Sequence, residues 1–249
     1  MNTEIHTSTP PQCWLAIPAA GSGSRYGGGL PKQYQPLAGD TLIGRVLDVF
    51  TGIEQIAGIV VALAAEDQYW TQFHYHDRFK VETVTGGEER CESVLKCLRA
   101  LKDRAQPNDW VLVHDVARPC ISADDVRNLI DTLVDDDVGG LLAVRVVDTL
   151  KREEANGRVQ KTVDRSGIWR AQTPQMFRLG MLCDALETAL ADNEAVTDEA
   201  AAIEYLGYKP RLIEGPESNI KVTVPSDLTL ASFYLDAQRQ DCSRAGDES

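Results

Sequence analysis

Positive charge is scarce in this chain. Its 249 residues hold 25 lysines and arginines against 38 acids, a formal net charge of -13. That excludes the broad basic face which a nucleic acid or an anionic membrane surface would demand. Long apolar runs are missing too, and no stretch approaches the roughly 20 residues of a membrane span. Residues 1–12 are polar and contain Pro10 and Pro11; they lack the apolar core of a signal peptide, so a cytoplasmic protein is expected. The six cysteines, Cys13, Cys91, Cys97, Cys120, Cys183 and Cys242, form no C-x-x-C pair and no regular spacing. They are expected to be small buried hydrophobes and not a disulfide framework or zinc site. There are four histidines. His74 and His76 alternate beside Asp77, but no third ligand pattern accompanies them, and a polar loop or strand edge is the plainer reading.

Against that acidic background, basic residues that cluster carry weight. Trp14 to Tyr34 reads WLAIPAAGSGSRYGGGLPKQY. Trp14 to Ile17 has the length and composition of a buried strand, closed by Pro18, which has no N–H for a sheet ladder. Ala19, Ala20, Gly21 and Gly23 leave little bulk between the backbone amides and a ligand, so successive N–H groups can converge on an anion. Arg25 and Lys32 add fixed positive charge. Two commoner glycine loops do not fit. A dinucleotide fingerprint needs a glycine where Tyr26 stands, and a Walker loop needs a Ser or Thr after its lysine, where Gln33 follows Lys32. Asp40 reads as the N-cap of a helix beginning near Thr41, not as a ribose acid.

The rest alternates between strands and helices. Ile56 to Leu63, Lys80 to Thr85, Trp110 to His114 and Gly140 to Val147 read as buried strands. Thr41–Phe50, Glu66–Phe73, Glu88–Asp103 and Asp124–Val134, the last capped by Ser122, read as helices. Between residues 148 and 168, short alternating runs flank Asn156-Gly157, a hairpin signal, which predicts a projecting two-stranded arm. Trp169 to Met176 returns to the body. Helices at Leu179–Ala191 and Thr197–Leu206, a strand at Arg211–Glu214 and a closing helix at Pro225–Gln240 follow, with a loose tail from Arg239 on. The expected fold is α/β: a doubly wound, mostly parallel nucleotide-binding sheet flanked by helices, with a β-arm. No repeat or linker divides it, so residues 1–240 form one domain and 241–249 a flexible tail.

PAAG, Arg25 and PKQY open a series that continues with GGEER and Ser93, HDVARP, VVDTLKR, TVDRSGIW, AQTPQ, TDEA and NIKVT. In order and spacing the set resembles the 2-C-methyl-D-erythritol 4-phosphate cytidylyltransferase family of nucleotidyltransferases. The resemblance implies transfer of CMP from CTP to 2-C-methyl-D-erythritol 4-phosphate with release of pyrophosphate, in non-mevalonate isoprenoid biosynthesis. It implies Mg²⁺ as cofactor, held chiefly by the triphosphate, and a homodimer clasped through the arm. Arg25 and Lys32 would stabilise the transition state, Lys221 would hold both the triphosphate and the incoming phosphate, and Arg165 would clamp the substrate phosphate together with Arg118, Thr149 and Thr173. Pro18, Ala19, Ala20, Gly21, Gly23, Gly87, Glu88, Ser93, Asp115 and Val116 would bind CTP, with backbone carbonyls near Ala19, Ala20 and Gly87 reading the cytosine amino group. Lys221 also stands out without the resemblance, as a single cation in an apparent strand that needs an anionic partner.

Asp115 is open to three roles: a metal-bound water, a substrate hydroxyl, or a charge that stabilises the turn after its strand. Two positions depart from the family pattern. Glu88 replaces an aspartate near the base, and Val116 replaces an alanine near the ribose. The competing readings are a cytidylyltransferase for ribitol 5-phosphate and a catalytically silent nucleotide-binding protein.

Overall fold

The computed structural model describes residues 12–21 and 29–247, and side chains as far as 240. Strand β1 (Cys13–Pro18) runs into the small-residue loop, and a 3₁₀ turn at Lys32–Tyr34 leads to a short hairpin of β2 (Pro36–Leu37) and β3 (Asp40–Thr41). There follow α1 (Leu42–Thr51), β4 (Ile56–Leu63), α2 (Tyr69–Gln72), α3 (Tyr75–Arg78), β5 (Val81–Thr85), α4 (Arg90–Leu101), β6 (Trp110–Val113) and α5 (Ala123–Leu133). The second half holds β7 (Gly139–Arg145), the arm strands β8 (Leu150–Glu153) and β9 (Val159–Val163), β10 (Trp169–Arg178), α6 (Leu179–Ala191), α7 (Glu199–Tyr205), β11 (Arg211–Glu214) and α8 (Ser226–Asp247).

Seven strands form one sheet in the order β11-β7-β10-β6-β1-β4-β5. All neighbours are parallel except β10, which runs antiparallel to both β6 and β7. The apolar runs are continuous because both sheet faces are covered. Along β1, Cys13, Leu15 and Ile17 enter one core while Trp14 and Ala16 enter the other, as strand alternation requires. Helices α1, α5 and α8 cover the first face, and α4, α6 and α7 cover the second. From β1 the chain winds outward through β4 and β5, then returns across β1 to β6. Strand order therefore reverses between β1 and β6, and the crevice at their carboxyl ends is where such sheets take ligands.

Several boundaries differ from expectation. The N-cap of α1 is Thr41 and not Asp40: the Thr41 hydroxyl accepts from the Gly44 amide at 3.1 Å, while Asp40 accepts from the Thr41 amide. The single helix expected over 66–73 begins later, because Asp67 caps the Trp70 amide, and is followed by a separate turn, α3, after His74 in the left-handed region. Lys221 does not lie in a strand. Residues 219–223 have no regular structure, because Asn219 donates to the Thr173 carbonyl and the Val222 amide donates to the Ala117 carbonyl. The closing helix continues past Gln240 to Asp247, where a tail was expected.

The arm forms a two-stranded sheet of its own, with residues 151–162 all exposed and only Leu150 and Val163 partly covered at its root. All five cysteines with described side chains have thiols pushed up by burial, to about 11 for Cys13 and Cys183 and about 12 for Cys97 and Cys120, as expected of inert core residues. No described helix is long and apolar enough to cross a membrane.

Candidate active site

A cavity of ≈ 300 Å³ opens at the switch point, lined by three loops and a segment from near the C-terminus. The loop after β1 contributes Pro18 to Gly21, the loop before α4 contributes Gly87 to Arg90, and the loop after β6 contributes Asp115 to Ala117. Lys32, Gln33, Ser93 and Lys221 complete the wall.

The first two loops touch through an absent side chain. A Cβ on Gly86 would overlap that of Ala20 and crowd the Ser93 hydroxyl, so Gly86 sets their spacing. Ser93 accepts from the Gly87 amide at 3.0 Å and donates to the Glu89 carbonyl at 3.2 Å, while Glu92 accepts from the amides of Glu88 and Glu89. These bonds hold the loop open before any ligand arrives. One proposed acceptor for the base is already engaged in part. The Ala19 carbonyl accepts from the Gln33 amide group at 3.0 Å, and the Ala19 N–H belongs to the sheet through Ala62.

Charge in the pocket is organised around Asp115. One of its oxygens accepts from Arg90 Nε at 2.8 Å and the other from Lys221 Nζ at 2.6 Å. Burial would raise this carboxyl, but Arg90 and Lys221 outweigh it and hold it well below the usual carboxylate range. Arg90 also makes a two-pronged contact with Glu199, at 2.6 and 3.0 Å. Glu199 is 1% exposed and sits in the first turn of α7, whose N-cap Asp198 accepts from the Ala201 amide. Burial drives the Glu199 carboxyl upward, with Arg90 pulling against it. Lys32 Nζ donates to the Val222 carbonyl at 3.2 Å, which ties the 3₁₀ turn to the segment carrying Lys221.

Behind Asp115 lies a buried chain of hydrogen bonds. The Asp115 amide donates to the Thr173 hydroxyl at 3.0 Å, Thr173 Oγ1 meets His114 Nδ1 at 3.2 Å, and His114 Nε2 meets the Arg118 carbonyl at 3.0 Å. A carbonyl only accepts, so His114 carries its proton on Nε2, and the Thr173 hydroxyl donates to Nδ1. Burial lowers the His114 pKa to about 4. The unfolded value is about 6.5, so the folded form resists a proton that the unfolded chain takes up. Its contribution is fully present above about pH 6.5 and is lost as the pH falls through about 4, a loss of about 3 kcal/mol. Urea unfolding at pH 7.5 and 4.5 checks this: His114→Gln should lose clearly less stability over that interval than the native chain, and an equal loss would assign the effect to other groups.

The expected residues divide into four sets. Pro18, Ala19, Ala20, Gly21, Lys32, Gly87, Glu88, Ser93, Asp115, Val116 and Lys221 all line the pocket. Gly23 and Arg25 lie outside the described residues. Thr173 packs behind Asp115, and Arg118 is committed to the carbonyls of Asn219 and Ala171, at 2.7 and 3.1 Å. Thr149 and Arg165 stand exposed at the root of the arm and do not reach the pocket within one chain. Sequence reading missed Arg90 and Glu199. Both sat inside quoted motifs, GGEER and TDEA, and a buried partnership across 109 positions leaves no local pattern.

A mostly parallel α/β sheet with cations converging at its switch point suits an anionic ligand such as a nucleotide, and the family and relatives that the chain matches are nucleotidyltransferases. Within that class, the chain belongs to the 2-C-methyl-D-erythritol 4-phosphate cytidylyltransferase family, whose model, described as IspD, matches residues 13–237. It is 52% identical over 222 residues to the 2-C-methyl-D-erythritol 4-phosphate cytidylyltransferase of Pseudomonas putida (strain GB-1), covering 89% of this chain and 94% of the relative. To the enzyme of the same name from Pseudomonas aeruginosa (strain UCBPP-PA14) it is 51% identical over 223 residues, covering 89% and 95%. The crystal structure of the Francisella tularensis enzyme superposes with a TM-score of 0.78 at 37% identity, covering 90% of this chain and 99% of that one.

Proposed function

We propose that the chain transfers CMP from CTP to 2-C-methyl-D-erythritol 4-phosphate, releasing pyrophosphate, with the pocket at the β1/β6 switch point as its active site. The observation that carries this is the gathering of Lys32, Arg90 and Lys221 at one cavity of a strongly acidic chain. An oxygen of the sugar-alcohol phosphate forms a bond to the α-phosphorus of CTP while the bond from that phosphorus to the β-phosphate oxygen breaks. A phosphate monoester, with its second pKa about 6, arrives already ionised, so no protein base is required. The task is to bring two anions into line and to neutralise them.

The residues suit that task. A side chain at Gly21 would meet nothing within 4 Å, so a phosphate can approach the backbone there. Lys32 flanks it. Lys221 is 43% exposed and in the resting state is paired with Asp115; an incoming phosphate competes for its ammonium, while Arg90 keeps Asp115 ionised and in place. Arg25 adds charge by the motif it shares with the family. Among the described residues the pocket makes no cage for magnesium: both oxygens of Asp115 are taken by cations, and a direct metal contact would require Lys221 to leave. Mg²⁺ therefore fits as the counter-ion of the triphosphate, supplying charge neutralisation there.

We place residues 1–240 in one catalytic unit that works as a homodimer. A bare two-stranded arm is barely stable in water and calls for a surface to lie on. Clasping a second subunit would also carry Arg165 and Thr149 toward a pocket they do not reach alone. Sedimentation equilibrium returning a single-chain mass would remove this part.

The central assay measures pyrophosphate release from CTP with each acceptor in turn. 2-C-methyl-D-erythritol 4-phosphate is expected to give by far the higher kcat/KM, and equal turnover of ribitol 5-phosphate would overturn the assignment. CTP binding with no turnover of either would favour a silent binding protein.

A further inference from the structure

We propose that His74, His76 and Asp77 form a surface site for a single divalent first-row transition ion, outside the nucleotide pocket. His74 is the N-cap of α3, and Asp77 lies three residues on, over the same first turn, so their side chains meet. His76 adds a second imidazole. The donor atoms of all three lie within 4.8 Å of one another. His74 Nδ1 is 3.4 Å from one Asp77 oxygen, and His76 Nε2 is 3.3 Å from the other.

Those two separations are long for charge-assisted hydrogen bonds, which run to about 2.7–2.9 Å. They leave both imidazole nitrogens close to one carboxylate without a tight bond to it, so rotation of these exposed side chains can turn all three onto one ion. Two imidazoles and a carboxylate suit Zn²⁺, Cu²⁺ or Ni²⁺ and suit the oxygen-seeking Mg²⁺ and Ca²⁺ poorly. The fourth position is left to water. The neighbouring cation does not oppose an ion there, because Arg78 is turned onto Asp40 and Asp48 and its charge is spent on them. The three side chains are 75%, 52% and 66% exposed, so an ion can enter and leave freely.

An ion at this place would brace more than three side chains. Phe73, just before the site, stacks on Tyr34 at 5.7 Å between ring centroids, and Tyr75, inside it, packs on the same ring at 6.2 Å. Tyr34 is two residues from Lys32. Holding residues 74–77 together therefore stiffens the aromatic support beneath the PKQY turn.

Calorimetric titration of the full chain with zinc chloride alone tests the site, alongside cobalt(II) absorption to report tetrahedral coordination. The native chain is expected to take up one equivalent of zinc and to gain in Tm. His74→Ala and His76→Ala should each weaken uptake by about tenfold or more and abolish the gain in Tm. Both changes are on the exposed surface and leave the core intact. No stoichiometric uptake by the native chain, or undiminished uptake by the double variant His74→Ala/His76→Ala, would overturn the proposal.

Discussion

Lys32→Ala is expected to lower kcat by about a hundred-fold to a thousand-fold while CTP affinity falls far less. The ammonium stands at the pocket wall, where negative charge shifts onto the leaving pyrophosphate oxygens as the bond to the α-phosphorus breaks. In the proposed reaction a fixed cation there acts most strongly on the transition state, since the ground-state triphosphate would still have Lys221 and a magnesium counter-ion to draw on. The lysine also has a second duty, donating to the Val222 carbonyl and thereby steadying the segment that presents Lys221. Steady-state pyrophosphate release, combined with calorimetric CTP binding to each form, separates the two effects. Equal losses in kcat and in affinity would mean that Lys32 serves binding alone.

Glu199→Gln should destabilise the fold by about 3 kcal/mol and reduce activity with it. Glu199 is buried, and its two oxygens take both terminal nitrogens of Arg90. The amide keeps the shape and one acceptor, yet it removes the other acceptor and the negative charge, leaving Asp115 as the one carboxylate on a partly buried guanidinium. Arg90 would then be free to tilt, and Asp115 would lose the donor that holds it against the pull of Lys221. Urea unfolding reads the first effect. A cost below about 1 kcal/mol would show that water screens the pair, as it does for surface ion pairs. Glu199 touches no reacting atom, so its part in catalysis is positional. A variant of full stability but reduced kcat would still support that part, whereas unchanged kinetics would remove it.

How much of this was open to reading without coordinates depended on how local each signal was. Ile56 to Leu63, Leu179 to Ala191 and Arg211 to Glu214 match observed elements at both ends, because periodicity and flanking breakers act within a few residues. The cap of α1 was misplaced by one residue because Asp40 and Thr41 are both good N-caps, and only the geometry of the β2–β3 hairpin chooses between them. Lys221 was legible as a cation in need of an anion, but its surroundings were not. The stretch Ile220 to Val222 has the composition of a strand and is instead held in irregular form by Asn219 and Ala117. Thr173 and Arg118 belonged to the right motifs, but they support the pocket from behind and do not face it within one chain.

By itself the sequence determined the α/β alternation, the placing of small residues and cations after the first strand, and the family. These depend on neighbours a few positions apart or on the order of short motifs. Only the tertiary structure decided that β10 enters the sheet antiparallel and that Asp115 is held between Arg90 and Lys221 with Glu199 behind. Such pairings join side chains brought close by the packing of helices on a sheet. Coulomb and hydrogen-bond energies depend on distance in space, and for residues a hundred positions apart that distance is set by the fold.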